Sequence, residues 1–233
     1  RRAEMRVAIV GCGLQGRIHA ESLRGLEGVE LVAACDIDHA RLADMERDFG
    51  VRGLYTDYRE LLAGVPVDLV CVCVMASLHR EVVLAAIAAG ADVMCEKPFA
   101  LDAAEAAEMV VAARSAGRRL TVGFNMRWFG SARVIRGLVE DGTLGSPVCG
   151  RGWMLADDVP WWGRHYVKGV SGGGALASTA VHMVDLLLWL AGSPEPVTAT
   201  ASAATLFPRK RAGGAPPGAA EEYDADDLTF GHV

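Results

Sequence analysis

The fold of this chain is decided by residues 5–36, MRVAIVGCGLQGRIHAESLRGLEGVELVAACD. An apolar, β-branched run enters a glycine-rich turn, after which Ile18, Leu23 and Leu26 recur on one side of a helical pattern. A second apolar run then ends at Asp36. This order predicts a strand, a helix and a second strand, the start of a doubly wound α/β unit.

The turn has the spacing GxGxxG, which is typical of dinucleotide-binding sites. Gly11 permits a tight turn, Gly13 leaves room for a phosphate, and Gly16 lets the helix pack on the strand. Asp36 lies where a ribose 2′-hydroxyl would be held, and it would repel a 2′-phosphate. We therefore expect NAD rather than NADP, although Arg41 just downstream weakens this preference. The residues expected to bind NAD are Gly11, Gly13, Leu14, Gln15, Gly16 and Asp36. The alternative is a turn of this shape that binds nothing.

Composition narrows the class of protein. The 233 residues carry a net charge of −6, and the basic residues are scattered, so we expect no nucleic-acid partner. No apolar run is long enough to span a bilayer and the first residues contain no signal-peptide hydrophobic region, which predicts a cytoplasmic protein with no membrane partner.

Cys71 and Cys73 share one face of a strand without a second ligand pair nearby, so the cysteines are expected to be reduced and structural, with no metal site.

Strand and helix patterns alternate up to Gly123. Val67–Val74 is a continuous apolar strand, Ser77–Ala89 a helix with a serine cap, and Asp92–Cys95 the next strand. Residues 1–123 are therefore predicted to form a Rossmann domain with a doubly wound parallel sheet. Residues 124–233 are predicted to form an α+β substrate-binding and oligomerisation domain with an open, mostly antiparallel sheet. Its predicted elements include a strand at Val148–Met154, a helix at Ala175–Leu190 and a strand at Glu195–Leu206.

Several motifs occur in a fixed order along the chain. They are the glycine turn, Asp36, His79, Glu96-Lys97-Pro98, Gly123-Phe124-Asn125 with Arg127, Gly172-Gly173-Gly174-x-Leu176, and His182-x-x-Asp185. In this order the chain resembles the Gfo/Idh/MocA oxidoreductases. The resemblance implies that Lys97 lies at the nicotinamide and substrate, that a cis peptide bond precedes Pro98, and that His182 exchanges a proton with the substrate hydroxyl. It adds His79, Glu96, Lys97 and Pro98 to the expected cofactor-binding residues.

The chemistry of hydride transfer suits these two side chains. A histidine can take the hydroxyl proton near neutral pH, and a lysine beside the reacting oxygen can stabilise its developing negative charge. The structural alternatives are a solvent-facing loop lysine at position 97 and a hydrogen-bonded core histidine at position 182. Asp185 lies on the same helical face as His182, and could fix its tautomer or pair with a backbone donor. Ser178 stands where the family often has aspartate, and it can hydrogen-bond without supplying charge.

Substrate contacts are expected mainly from the second domain. Asn125, Arg127 and His182 are expected to line the cleft between the domains. The loop Trp161–Tyr166 is rich in aromatic residues, and its Trp162 and His165 are candidates for contacts with a sugar. A packed lid without ligand contact is the alternative interpretation of this loop.

The function expected from these residues is NAD(P)-dependent hydride transfer to or from a hydroxyl carbon of a sugar, cyclitol or related polyol. The alternatives are a non-catalytic nucleotide-binding sensor or scaffold, and a lyase or glycosidase that retains NAD and oxidises its substrate only transiently. Relatives continue well beyond the last residue here, so we expect a fragment or a sequence lacking segments of the whole protein. The resemblance also implies a homo-oligomer that associates through the second-domain sheet.

Overall fold

A parallel sheet of six short strands organises residues Arg1–Gly123, the first of two units into which the chain divides. The computed structural model describes residues 4–156, 164–206 and 217–233. The strands are β1 Met5–Val10, β2 Val29–Cys35, β3 Gly53–Tyr55, β4 Leu69–Val72, β5 Asp92–Cys95 and β6 Leu120–Val122. The helices are α1 Leu14–Arg24, α2 His39–Phe49, α3 Tyr58–Gly64, α4 Ala76–Ala88 and α5 Ala103–Ser115.

The strand order is β3-β2-β1-β4-β5-β6, so the direction of winding reverses between β1 and β4. The two strands pair in parallel, with Val7 opposite Leu69 and Val10 opposite Val72. Side chains alternate along β1 into two buried apolar layers, one on each face of the sheet. This confirms the predicted doubly wound parallel sheet, and the reversal marks the edge where ligands of such sheets bind.

The helices that pack on this sheet differ in whether a side chain caps their N-terminus. Aspartates at positions 38, 57 and 102 cap α2, α3 and α5 by accepting backbone N–H groups. In contrast, α1 follows Gly13 and α4 follows Met75, and within the described chain neither N-terminus has a side-chain cap. The predicted serine cap is therefore wrong, since α4 begins at Ala76. The two uncapped helices follow β1 and β4, the strands on either side of the reversal.

The second unit, Phe124–Val233, combines helices with a small sheet. A 3-10 turn at Asn125–Trp128 precedes the helices α6 Gly130–Glu140 and α7 Lys168–Ser171. A π-helical segment, Ala175–Ala180, then runs into α8 Val181–Leu190. The remaining elements are β7 Thr200–Ala204, α9 Ala219–Glu222 and β8 Leu228–His232, and β7 pairs antiparallel with β8. The helix predicted at Ala175–Leu190 is confirmed, with its first turns in π geometry.

Two expectations for the second unit are wrong. Residues 148–154 form no strand: they find no ladder partner among the described residues, and Val148 is 98% exposed.

The segment Lys168–Leu190 is long and apolar enough to span a membrane by composition, although no such run was expected. However, Gly172 and Gly173 interrupt it with φ angles of 80° and 145°, and Asp185 forms an ion pair within it. Both features are unfavourable in a bilayer-spanning helix.

Candidate coenzyme site and active-site residues

The three glycines of the turn meet different surroundings. Gly11 has a φ of +96°, and a Cβ atom there would lie 2.5 Å from the carbonyl carbon of Cys73. A Cβ atom on Gly16 would lie 2.0 Å from the carbonyl oxygen of Gly11. At Gly13 the nearest atom would be Nη1 of Arg41, 3.7 Å away. The surroundings of the glycines therefore agree with the roles predicted for them. Gly11 and Gly16 allow close backbone packing, and Gly13 leaves its backbone open to a ligand.

Asp36 is fixed at the end of β2 beside this turn. Its side chain is buried and accepts the backbone N–H groups of Cys12 at 2.8 Å and Asp38 at 2.9 Å. Nη1 of Arg41 lies 3.5 Å from Oδ2 of the same carboxylate. A carboxylate in this place suits ribose hydroxyls and repels a 2′-phosphate, while the exposed Arg41 adds positive charge.

These residues fit a nicotinamide dinucleotide. The first N–H groups of a helix, here from Leu14, Gln15 and Gly16, have no intrahelical acceptor, and Gly13 offers them no side-chain cap. An anion such as a pyrophosphate satisfies such groups and is favoured by the helix dipole. The open backbone at Gly13 and the fixed carboxylate of Asp36 complete the site.

The Glu96-Lys97-Pro98 motif follows the end of β5, two strands from β1. Glu96 is buried, and its Oε1 lies 2.8 Å from Nε2 of His19 while its Oε2 accepts the Lys97 N–H at 3.1 Å. Burial alone would raise the pKa of Glu96, but the hydrogen bonds from His19 and Lys97 and their charges lower it overall. The Lys97–Pro98 peptide bond is cis, as the resemblance implied.

Lys97 itself is partly buried. Burial lowers the pKa of its amine below the ordinary value, and the charge of Glu96 offsets part of that effect. An amine of lowered pKa exchanges protons more readily near neutral pH, which suits a group beside a reacting hydroxyl. Lys97 is thus not a fully solvent-facing loop residue, and its role at the nicotinamide and substrate stays a prediction.

His79 is 1% exposed and contacts backbone on both sides of its ring. Nδ1 lies 2.9 Å from the carbonyl oxygen of Pro98 and 3.3 Å from that of Phe99, and Nε2 lies 3.1 Å from that of Val74. Burial lowers the pKa of the imidazole, although these carbonyl groups act in the opposite direction. The sequence suggested a direct cofactor contact for His79, whereas the structure gives the ring these backbone partners. The contact of His79 with the cofactor stays a prediction.

The cysteines of the first unit behave as small hydrophobic residues. Burial raises the pKa of the Cys12, Cys35 and Cys71 thiols to about 12, so they stay protonated at neutral pH. Over residues 4–156, 164–206 and 217–233, no group of three or more histidine, cysteine or acidic side chains is arranged to hold a metal.

In the second unit, the 3-10 turn and α8 bring three predicted residues together. His182 is half-buried and meets the Phe124 ring edge-on, with 6.3 Å between ring centroids. Arg127 lies over the same ring, 5.7 Å from its centroid, and forms a bidentate ion pair with Asp185. The carboxylate expected to set the tautomer of His182, or to pair with a backbone donor, thus has both its oxygens bound by Arg127.

The π-helical segment before His182 is held by two side chains. The hydroxyl of Ser178 is buried and donates to the carbonyl oxygen of Gly174 at 2.7 Å. Asp226 accepts the N–H groups of Gly174 at 2.8 Å and Leu176 at 3.2 Å, together with the Thr229 hydroxyl. Neither Asp226 nor His19 was predicted from the sequence, since Asp226 pairs with Gly174 and His19 with Glu96, each more than fifty positions away.

The remaining predicted substrate residues have varied surroundings. Asn125 is exposed at the start of the 3-10 turn, and Trp162 lies outside the described residues. His165 is half-buried beside Tyr166, which is 5% exposed and stacks on Tyr223 with ring centroids 6.3 Å apart. This end of the aromatic loop is therefore packed, as in the lid interpretation. The sugar contacts of His165 and Trp162 stay predictions.

Comparisons with known proteins agree with this fold. Residues 5–124 match the oxidoreductase family with an NAD-binding Rossmann fold, and residues 132–232 match the GFO/IDH/MocA C-terminal domain. The chain is 38% identical to the D-apiose dehydrogenase of Paraburkholderia graminis over 144 residues, 62% of this chain and 38% of that one. It is 34% identical to the myo-inositol 2-dehydrogenase of Thermotoga maritima over 188 residues, 81% of this chain and 55% of that one.

A similar solved structure is GenD2 from gentamicin A biosynthesis in complex with NAD, with a TM-score of 0.80 and 28% identity. The match covers 98% of this chain and 61% of that chain. The chain spans about half the length of the curated relatives it matches. Because the family models cover both units, the chain belongs to the Gfo/Idh/MocA oxidoreductase family.

Proposed function

We propose that the whole protein is an NAD-dependent oxidoreductase that transfers a hydride between nicotinamide and a hydroxyl carbon of a sugar, cyclitol or related polyol. The observation that carries the proposal is the partly buried Lys97, whose backbone N–H donates to Glu96, in the same unit as a glycine turn that is open to a dinucleotide. The names of the relatives, a D-apiose and a myo-inositol dehydrogenase, support the substrate class and give no support to the sensor or lyase alternatives.

When bound, NAD supplies the hydride acceptor, and the side chains of this chain do the rest. The α1 N-terminus holds the pyrophosphate and Asp36 holds the ribose hydroxyls. The ammonium group of Lys97 stabilises negative charge on the substrate oxygen, and the imidazole of His182 accepts the hydroxyl proton. This assignment requires Lys97 of the first unit and His182 of the second to reach one substrate carbon.

We also propose that the protein is cytoplasmic and forms a homo-oligomer through the second-domain sheet. The support for the assembly is the match of residues 132–232 to the GFO/IDH/MocA C-terminal domain, since the resemblance to this family implied association through the second-domain sheet.

The test follows reduced nicotinamide by its absorbance while the full-length protein is incubated with NAD and a panel of sugars and cyclitols that includes D-apiose and myo-inositol. We expect NADH with at least one polyol, and we expect Lys97→Ala to lower kcat at least about 100-fold, because the charge on the oxygen loses its stabilisation. Lys168→Ala, at an exposed lysine of the second unit, is the matched control.

Each alternative predicts a different result on the same panel. Product without net NADH would indicate the redox-cycling lyase or glycosidase, and bound NAD without turnover would indicate a sensor. Undiminished turnover by the Lys97→Ala variant would remove the proposed lysine.

A further inference from the structure

Glu96 is enclosed from three directions. His19 of α1 approaches Oε1, the backbone N–H of Lys97 donates to Oε2, and a Cβ atom on Gly123 would lie 3.0 Å from Oε1. The side chains of His19 and Glu96 are 19% and 11% exposed. A buried carboxylate is costly unless it is hydrogen-bonded, so these contacts determine where Glu96 lies.

The donor in this pair is His19. The pKa of Glu96 is lowered, so the side chain is ionised at neutral pH and can only accept hydrogen bonds. Nε2 of His19 must therefore carry a hydrogen. The other titratable side chains that interact with Glu96 are Lys97, His79 and the thiols of Cys71, Cys73 and Cys95, and burial raises the pKa of each thiol.

Lys97 thus stands between two residues that histidines contact. Glu96 before it is bound by His19, and the carbonyl group of Pro98 after it is contacted by His79. The two histidines come from α1 and α4, the uncapped helices on either side of the sheet reversal. The backbone that carries the lysine therefore contacts both of the uncapped helices that follow the strands on either side of the sheet reversal.

We propose that His19 is a positioning residue for Lys97, acting through Glu96 and joining the phosphate-binding helix to the lysine. The proposal rests on the proposed function in that Lys97 acts on the substrate. Without the hydrogen bond from His19, the ionised Glu96 is free to turn toward the Lys97 ammonium group, which then holds its proton more firmly and moves from its place.

The first readout needs neither coenzyme nor substrate. Full-length protein is treated with an amine-specific reagent at one alkaline pH, and the rate at Lys97 is followed by peptide mass spectrometry. We expect His19→Leu to slow the labelling about threefold, because fewer Lys97 side chains are deprotonated. Glu96→Gln should speed it, because the anion that stabilises the ammonium group is removed. His19→Gln keeps a donor and should label as the wild type does, as should the exposed control His39→Leu.

The second readout separates positioning from coenzyme binding. With an active polyol, His19→Leu is expected to lower kcat about tenfold while the Kd for NAD stays within about twofold, and His19→Gln is expected to restore kcat. The inference is overturned if His19→Leu labels and turns over at wild-type rates, or if His19→Gln behaves like His19→Leu.

The two proposals fail in different ways. If the wild-type protein reduced no NAD on any polyol, the proposed function would be overturned, and the labelling rates would still decide the role of His19. If His19→Leu did not fold, the faster labelling expected for Glu96→Gln and the wild-type rate expected for His19→Gln would decide it: equal labelling by these two variants would overturn the inference.

Discussion

Arg127 binds both carboxylate oxygens of Asp185, with its Nε 2.8 Å from Oδ2. The pair joins the 3-10 turn at the start of the second unit to α8, the helix that carries His182. Asp185 is almost fully buried, with 8% of its side chain exposed, and Arg127 is 39% exposed. The hydrogen bond and charge of Asp185 raise the pKa of Arg127 despite partial burial. A residue expected to serve the catalytic histidine therefore contributes to the structure around it.

The first prediction concerns the strength of this pair. Asp185→Asn is expected to lower the free energy of unfolding by about 1–3 kcal/mol, because a buried charged hydrogen bond is lost. A double-mutant cycle with Arg127→Gln should give a coupling of about 1 kcal/mol, reduced by the exposure of the guanidinium. Urea unfolding measures both. The exposed pair Arg164–Glu222 is the control, with a coupling near zero. An equally small coupling for Arg127 and Asp185 would contradict the prediction.

The second prediction separates the two functions of the glycine turn. Gly11→Ala is expected to destabilise the first unit by about 3 kcal/mol or more, because its φ of +96° and the Cys73 backbone both exclude a Cβ atom. Gly13→Ala should leave the unfolding midpoint nearly unchanged and weaken NAD about tenfold or more, because the methyl group takes the place of a phosphate oxygen. Thermal unfolding and NAD titration check the two effects. Wild-type NAD affinity in Gly13→Ala would place the pyrophosphate elsewhere.

The third prediction concerns Gly174 at the start of the π-helical segment. A Cβ atom there would lie 1.7 Å from the carbonyl oxygen of Asp226, so Gly174→Ala has to displace backbone. We expect a loss of at least about 3 kcal/mol in the second unit, measured by urea unfolding. Gly137→Ala is the matched control in the same unit: nothing lies within 4 Å of its Cβ position, and it should stabilise α6 by about 0.5–1 kcal/mol. A similar change in the free energy of unfolding for both variants would show that the backbone at Asp226 can move aside at little energetic cost.

Local signals in the sequence predict most of the first unit. The strand β4, the helix α4 and the strand β5 each depend on residues close in sequence, and each begins and ends within about two residues of the prediction. Helix α1 shows where such patterns fail. Of the residues expected on one side of this helix, Leu23 packs against the core, whereas Ile18 is 49% exposed and Leu26, beyond the helix end at Arg24, is 54% exposed. The fully buried positions are those of the small residues Gly16 and Ala20.

The partners of the candidate site were less predictable. Glu96 with His19, Gly174 with Asp226, and Arg127 with Asp185 are separated by 77, 52 and 58 positions. Nothing local distinguishes these acids from surface carboxylates, so only the tertiary structure identifies their partners. The prediction of a strand at Val148–Met154 is wrong for the same reason. A strand requires a neighbouring strand to pair with, and the local sequence does not show whether one is present.

The last prediction is a pH dependence of stability that comes from His79. Burial lowers the pKa of this imidazole below its ordinary 6.5, so the unfolded chain binds more protons than the folded one as the pH falls below that value. Stability is therefore complete above about pH 6.5 and is lost toward the lower pKa of the folded state. Nδ1 and Nε2 both face carbonyl oxygens, which favour the imidazolium, yet the effect of burial is larger. His79→Gln keeps a donor for the Pro98 carbonyl and removes the titration.

The free energy of unfolding, measured in urea between about pH 8 and about pH 5, should thus fall less in His79→Gln than in the wild type. His39→Gln, at an exposed histidine of α2, is the control for the loss of one histidine. Since the other titrating groups are common to the three proteins, the difference in slope isolates His79. Equal slopes would mean that the ring titrates alike in both states. A steeper slope in His79→Gln would mean that the three carbonyl groups outweigh burial and hold the imidazole charged.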